Sequence, residues 1–197
     1  MKNSGFTLLE MLITLGILGL VIVGVYRLAG DLLVDNFYIQ QKALAESEGR
    51  SALKTMIGEL RGASQSNTGV FPLESASSTG VVFYADTDGD NLFERIRYTA
   101  VAAELKRGVI VPSGSPLSYD PADETEKTLT SRLATTTVFS FFDKNYAGTS
   151  SPLVEPVSLN DVRLVNIDLL LDIDDRLATN PFELSGWATL RNLKDNL

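Results

Sequence analysis

Across residues 6–26 the chain is apolar at nearly every position, and Glu10 is the one charged residue. About 21 residues at 1.5 Å each make a helix of about 32 Å, long enough to cross the hydrocarbon core of a bilayer. From residue 27 to about residue 61 the pattern changes. Leu28, Leu32, Leu44, Leu53, Met56, Ile57 and Leu60 recur at helical spacings, with Lys42, Glu46, Arg50, Lys54 and Glu59 between them. That period predicts that the helix continues as an amphipathic half packed on a domain. Gly49 and Gly58 read as blemishes in this half, and the run of Gly, Ala, Ser, Asn and Thr over 62–69 ends it.

Beyond the helix the period falls to two. Residues 62–80 are rich in Ser, Gly, Thr and Asn and read as a loop. Residues 81–85 form a short β-type run. Over 94–99, Ile96 and Tyr98 take one face and Arg95 and Arg97 the other, so the two runs predict a β-hairpin. A third strand, about 103–111, follows through a turn at Val101-Ala102. Residues 112–130 carry four Pro or Gly interruptions (Pro112, Gly114, Pro116, Pro121) and the acidic Asp120, Asp123, Glu124 and Glu126, and read as a solvated loop. Residues 129–134 suggest a short helical turn. The run 138–142 reads as a strand ending in the turn Asp143-Lys144-Asn145. Its aromatics are assigned to the core, because no basic residue interleaves with them as a nucleic-acid stacking surface requires. The clearest strand is 162–173, with Val165, Ile167, Leu169, Leu171 and Ile173 on one face. Asp174-Asp175 and Pro181 bound a connection. Residues 182–191 alternate again, with Leu184, Gly186 and Ala188 opposite Ser185, Trp187 and Thr189. These last two strands predict an antiparallel hairpin with one face on the helix. A long N-terminal helix followed by antiparallel strands is an α+β arrangement. The expected organisation is a leader over 1–5, a transmembrane half-helix over 6–26, an amphipathic half over 27–61, and a β-rich head over 62–197.

Composition narrows the function classes. The 197 residues carry 25 acidic and 17 basic side chains, a net charge of −8, which argues against a nucleic-acid partner for the head. With no cysteine there is neither a disulfide scaffold nor a thiolate metal site, and with no histidine there is neither a His-based triad nor His-ligated zinc. Ser150 and Ser151 lack the Gly-x-Ser-x-Gly context, and Walker and dinucleotide fingerprints are missing, so no catalytic residue is assigned and an enzyme is not expected.

One loop holds candidate metal chemistry: Asp86-Thr87-Asp88-Gly89-Asp90-Asn91-Leu92-Phe93-Glu94. Calcium takes six to eight oxygens, often from carboxylates at alternate positions of a tight loop together with a backbone carbonyl. Asp86, Asp88 and Asp90 supply the alternation, Leu92 a carbonyl and Glu94 a further carboxylate. Two positions depart from an EF-hand loop: Asn91 stands where the sharp-turn glycine belongs, and Arg97 where the final bidentate carboxylate belongs. The same residues also suit a hairpin turn with no metal. Three carboxylates this close repel one another without a cation, which keeps the metal reading open beside the plain turn.

Glu10 is the remaining problem. A carboxylate inside a bilayer costs several kcal/mol unless it is paired or wet. A cleaved secretory signal does not account for it, and no small-residue cleavage site follows Tyr26. A plain anchor explains the length but not the charge. The stretch Gly5-Phe6-Thr7-Leu8-Leu9-Glu10 resembles the class III signal of type IV pilins and type II secretion pseudopilins. The resemblance implies cleavage by a prepilin peptidase between Gly5 and Phe6, N-methylation of the new Phe6 amine, and pairing of Glu10 with that amine on a neighbouring subunit. It implies an inner-membrane anchor in lipid with the head outside, an inner-membrane assembly platform, other pilins as partners, and a final place in a pilus or pseudopilus. The proline that many major pilins carry late in the apolar run is absent. Gly16, Gly19 and Gly24 stand there instead, either to let the helix melt in a fibre or to let helices pack closely. More loosely, Phe141-Phe142-Asp143-Lys144-Asn145, Pro156-Val157-Ser158-Leu159 and Leu190-Arg191-Asn192 resemble J-type minor pseudopilins and W-type minor pilins. The function this implies is that of a minor subunit at or near a fibre tip. An adhesive or calcium-dependent ligand-binding head and a membrane-anchored enzyme are the alternatives.

Overall fold

A computed structural model of the chain describes residues 7–173 and 181–193. The expected leader and the Asp174-Asp175 connection lie outside the described residues. The chain forms two units, Met1–Ala43 and Leu44–Leu197. One helix, α1 (Leu8–Arg61), contributes to both.

In the first unit α1 is apolar and uncovered. Its described side chains from Leu8 to Leu33 are all exposed, Leu28 and Leu32 among them. Two of its polar side chains close on their own helix: Thr14 Oγ1 donates to the Met11 carbonyl at 2.9 Å and Asn36 Nδ2 to the Leu32 carbonyl at 2.9 Å. Such local bonds satisfy a side chain where no water is at hand.

In the second unit the last turns of α1 carry a buried stripe of Ala45, Gly49, Ala52, Met56 and Leu60, continued by Ala63 just past the helix. The spacings of three and four place them on one face. Leu53 and Ile57 flank the stripe and pack against the same core. The part of the helix that the head itself buries begins near Ala45. The exposed Leu28, Leu32 and Leu44 continue its period without being buried. Gly49 is not a blemish: a Cβ there would collide with the Leu171 and Leu184 side chains, so the missing side chain is what brings the helix onto the sheet. Gly186 plays the same part from the sheet side, against Leu53 and Ile57.

Two antiparallel sheets build the rest. The first has the order β1-β2-β3-β4-β5, with β1 (Leu73–Ser77), β2 (Gly80–Ala85), β3 (Glu94–Val101), β4 (Glu104–Ile110) and β5 (Thr125–Thr130). The predicted hairpin is β2–β3, in which Phe83 pairs with Ile96 and Val81 with Tyr98. The third strand is β4, and its turn is Ala102-Ala103, with Ala102 at φ 53°. Three expectations fail. The loop over 62–80 contains β1. The solvated loop over 112–130 contains a short 3-10 turn, Pro121–Asp123, and the edge strand β5. Residues 129–134 form no helical turn, since Leu129 and Thr130 end β5 and Leu133 bridges to Leu171. Both missed strands lie at sheet edges, and β5 is exposed over its first four residues, so neither shows the alternation that a buried face imposes.

The second sheet has the order β6-β7-β8, with β6 (Phe139–Phe142), β7 (Leu164–Leu171) and β8 (Phe182–Thr189). Its inner face supplies Phe139, Phe141, Val165, Ile167, Leu169, Leu171 and Ala188 to the core, where Met56, Leu60, Phe83, Ile96 and Tyr98 meet them. The sheets join through the Ser78 carbonyl, which accepts from the Val138 and Phe139 amides at 2.8 and 3.0 Å.

Candidate functional site

At its N-terminus α1 starts with a reciprocal cap. Thr7 precedes the first helical residue; its Oγ1 accepts from the Glu10 amide at 3.3 Å, and its own amide donates to Glu10 Oε2 at 3.5 Å. This Thr-x-x-Glu exchange satisfies two backbone donors that a helix start otherwise leaves open, and it places the carboxylate at the positive end of the helix dipole. Glu10 therefore has a local role within its own chain, which the sequence reading did not see. Its side chain is exposed, as are all its apolar neighbours from Leu8 to Tyr26. Around Gly16, Gly19 and Gly24 no atom of the described chain comes within 4 Å of where a Cβ would stand. Gly5 and Phe6 lie outside the described residues.

The acidic loop between β2 and β3 is a nest of Asx turns. Asp86 accepts from the Gly89 amide at 2.7 Å and the Asn91 amide at 3.1 Å; Asp88 accepts from the Asp90 amide at 3.2 Å, and Asp90 from the Leu92 amide at 2.7 Å. Gly89 and Asn91 take positive φ, 83° and 68°, so Asn91 does adopt the left-handed conformation expected of it. Asn67 braces the loop from outside, accepting from the Phe93 amide at 2.6 Å, and Tyr119 Oη donates to the Phe93 carbonyl at 2.7 Å. Carboxylate oxygens of Asp86, Asp88 and Asp90 lie within 4.8 Å of one another. Glu94 stands outside that group. It is buried, and its Oε2 accepts from the Thr87 amide at 2.8 Å and the Thr87 hydroxyl at 2.9 Å. Leu92 enters through its amide, as a donor to Asp90.

Three ion clusters that the sequence reading did not single out fix the first sheet. On its inner side Glu59, from α1, receives Arg107 in a two-pronged bond (2.6 and 3.1 Å) together with the Tyr98 hydroxyl at 2.5 Å. Burial, and then the charge of Glu59, push the Tyr98 phenol well above its usual range. On the outer side Arg95 grips Glu74 through two bonds of 2.7 Å, and Arg97 grips Glu124 through two of 2.8 Å while reaching Glu126 at 3.0 Å. Arginine hydrogen bonds hold Glu74 and Glu124 below the ordinary carboxylate range against the opposing effect of burial. A side chain at Gly108 would occupy the space of the Glu124 carboxylate, so this glycine makes the Arg97 clamp possible. The alternation of Arg95 and Arg97 was visible in the sequence; their partners, 21 and 27 positions away, were not, and neither was the Glu59–Arg107 pair, 48 positions apart.

Two clefts border Arg107 and Lys127. One, of about 380 Å³, lies against Glu48, Ser51 and Thr55 of α1; the other, of about 530 Å³, against Asp88, Glu94 and Asp123. In the second, Glu94 is already engaged by Thr87.

Residues 1–26 match the family model described as the prokaryotic N-terminal methylation motif. The matched segment holds the Gly5-Phe6 junction, Glu10 and the apolar run. Together with the α+β arrangement of one long helix and two antiparallel sheets, the match supports the type IV pilin-like family and a pilin or pseudopilin that a prepilin peptidase processes. No curated protein matches the chain.

Proposed function

We propose that this protein is a minor pilin or pseudopilin that works by assembly rather than by turnover, at or near the tip of a type II secretion pseudopilus or a type IV pilus. The observation that carries this reading is Glu10, a capped carboxylate at the head of an apolar helix that no part of the described chain covers. The helix first holds the subunit in the inner membrane with its head outside. Cleavage after Gly5 frees the Phe6 amine, which is then methylated. Glu10 leaves its cap on Thr7 and pairs with the Phe6 amine of a neighbouring subunit, delivered through an inner-membrane assembly platform. In a low dielectric such a pair is strongly registered, because either charge left alone carries a heavy desolvation cost. The exposed apolar side chains of α1 then become the contacts of the fibre core.

Coexpression with a prepilin peptidase, followed by mass spectrometry, tests the first step. A chain beginning with N-methylated Phe6 is expected, and an intact Met1 would defeat the reading. Replacing Glu10 with alanine should leave cleavage and head stability unchanged while abolishing incorporation into fibres; normal incorporation would refute the pairing.

A second reading, a ligand-binding head displayed on the fibre, draws on the cluster of Asp86, Asp88 and Asp90. Calcium is its cation: the three carboxylates supply oxygens of the hard type that the ion takes. Calcium should raise the Tm of the full chain in detergent, and Asp88→Ala should remove the increase. A Tm indifferent to calcium would leave the loop as a turn.

A further inference from the structure

The chain has a single tryptophan, and it is not in the core. Trp187 stands on the outer face of β8, between the exposed Ser185 and Thr189, with 38% of its surface open to solvent. Its ring is nonetheless fixed. Tyr146 stacks on it at 5.4 Å and 27°, and Phe142 meets it at 5.4 Å and 45°. Phe142 and Tyr146 are themselves 4.4 Å apart. The strand beneath is also held, since the Trp187 carbonyl accepts from Arg61 Nη2 at 3.1 Å. An indole packed against two rings and still partly open to solvent has little freedom left to lose on binding.

Beside the indole runs a polar row. Across the sheet Trp187 pairs with Asn166, and Ser185 pairs with Asp168. Asn166 Nδ2 donates to Asp168 Oδ2 at 2.5 Å, and Ser185 Oγ donates to Asn166 Oδ1 at 3.3 Å. These bonds, made through the buried Asn166, orient the row and leave Asp168 with a second carboxylate oxygen and Ser185 with acceptor capacity. Adjacent strands lie about 4.8 Å apart, so these groups flank the ring at a spacing comparable with the width of a hexose.

We infer that this face of the β6–β7–β8 sheet is a carbohydrate-binding platform, with Trp187 stacking on the apolar face of a pyranose while Asp168 and Ser185 take its hydroxyls and the buried Asn166 holds both of them in place. The occupant must be apolar on one face and rich in hydroxyl donors at its rim, which describes a neutral sugar ring. A nucleic acid is disfavoured by Asp168 and by the net charge of −8. Phe142 and Tyr146 are apolar neighbours of the indole, but along β8 its outward neighbours Glu183, Ser185 and Thr189 are polar and exposed, whereas a protein hot spot sits in a fully desolvated pocket. The inference goes beyond assembly and does not depend on it.

Because Trp187 is the chain's one indole, its fluorescence reports on this site alone. The full chain, in a detergent without a sugar headgroup, is titrated with maltotriose, cellotriose and tri-N-acetylchitotriose. A saturable change in emission is expected with at least one of them. Asp168→Asn and Ser185→Ala should each weaken that response about tenfold, the value of one aromatic-assisted polar contact, with Tm unchanged. No saturable change with any of the three sugars overturns the proposal, and so does a response that both variants retain. Emission that instead shifts with protein concentration in the absence of sugar would mean that a second copy covers the face, and would equally overturn it.

Discussion

The two parts of α1 have the same backbone and opposite surroundings. Up to Leu33 its described apolar side chains are all exposed, whereas from Ala45 to Leu60 one face is buried in the head. The difference teaches that helical periodicity reports a helix and not the place where it is covered. Leu28, Leu32 and Leu44 keep the period of Met56 and Leu60 and yet remain exposed. In the first unit the described chain leaves the apolar surface uncovered, and the proposed function gives it to lipid and then to other subunits. In the second it belongs to the fold itself.

The largest test of that contrast is a pair of truncations. Met56 is fully buried, so Met56→Ala should cost about 2–5 kcal/mol through lost transfer energy and the cavity left behind. Leu18→Ala, at an exposed position of the same helix, should change head stability by less than about 0.5 kcal/mol. Denaturant unfolding of the full chain in detergent, followed through Trp187, measures both. Equal costs would mean that the two parts of α1 are not energetically distinct.

Glycines sharpen the comparison at a smaller scale. Gly49→Ala should destabilise the head by about 1–3 kcal/mol, because the new methyl must displace Leu171 and Leu184. Gly19→Ala meets nothing in the described chain and should strengthen the helix by up to about 1 kcal/mol. If Gly19→Ala also blocks fibre formation, close packing between subunits is the reason for that glycine. If fibres form normally, it serves the local weakness of the helix.

The same contrast explains what the sequence made legible. Strands β3 and β8, and the later part of β7, set one face against the core, so burial imposes a period of two: Ile96 and Tyr98 are fully covered while Arg95 and Arg97 are not; β2, buried from Val81 to Ala85, was legible as a continuous apolar run. Edge strands answer to pairing more than to burial. The Thr-Glu-Lys-Thr run of β5 is exposed throughout, and its residues match those of a loop in type. Leu129 and Leu133, four apart, imitated a helical turn although one belongs to β5 and the other to a bridge with Leu171. The N-terminal signal was legible for a different reason: it is a contiguous motif within residues 1–26, so its information is local. The cap between Thr7 and Glu10 is equally local, yet the charge of Glu10 in an apolar run drew attention to distant partners first. The Trp187 face was visible only as an alternation, and the rings that brace it, from residues 142 and 146, became apparent through strand register.

Carboxylates carry the comparison to its smallest expected effect. In the first unit Glu10 rests on Thr7 alone among the described residues, whereas in the second Glu74 is held by Arg95 and by the Tyr84 hydroxyl at 2.6 Å. The Arg95 bonds, ahead of the opposing effect of burial, lower the Glu74 pKa in the folded chain. Over the interval between the folded and unfolded values the unfolded chain binds more protons, so stability rises with pH there. The contribution is therefore fully present above the ordinary glutamate range and is lost as the pH falls through the lower folded value. Glu74 is more than a third exposed, and solvent screening limits the effect to about 0.5–1 kcal/mol. Glu74→Gln should lower the Tm at pH 7, flatten the acid limb of the Tm–pH curve, and converge with the unmodified chain once the pH is below both values. Glu10→Gln should leave that limb unchanged, since the head does not use it. A steep acid limb surviving in Glu74→Gln would pass the role to Glu124, which Arg97 holds in the same way on the outer face of the sheet.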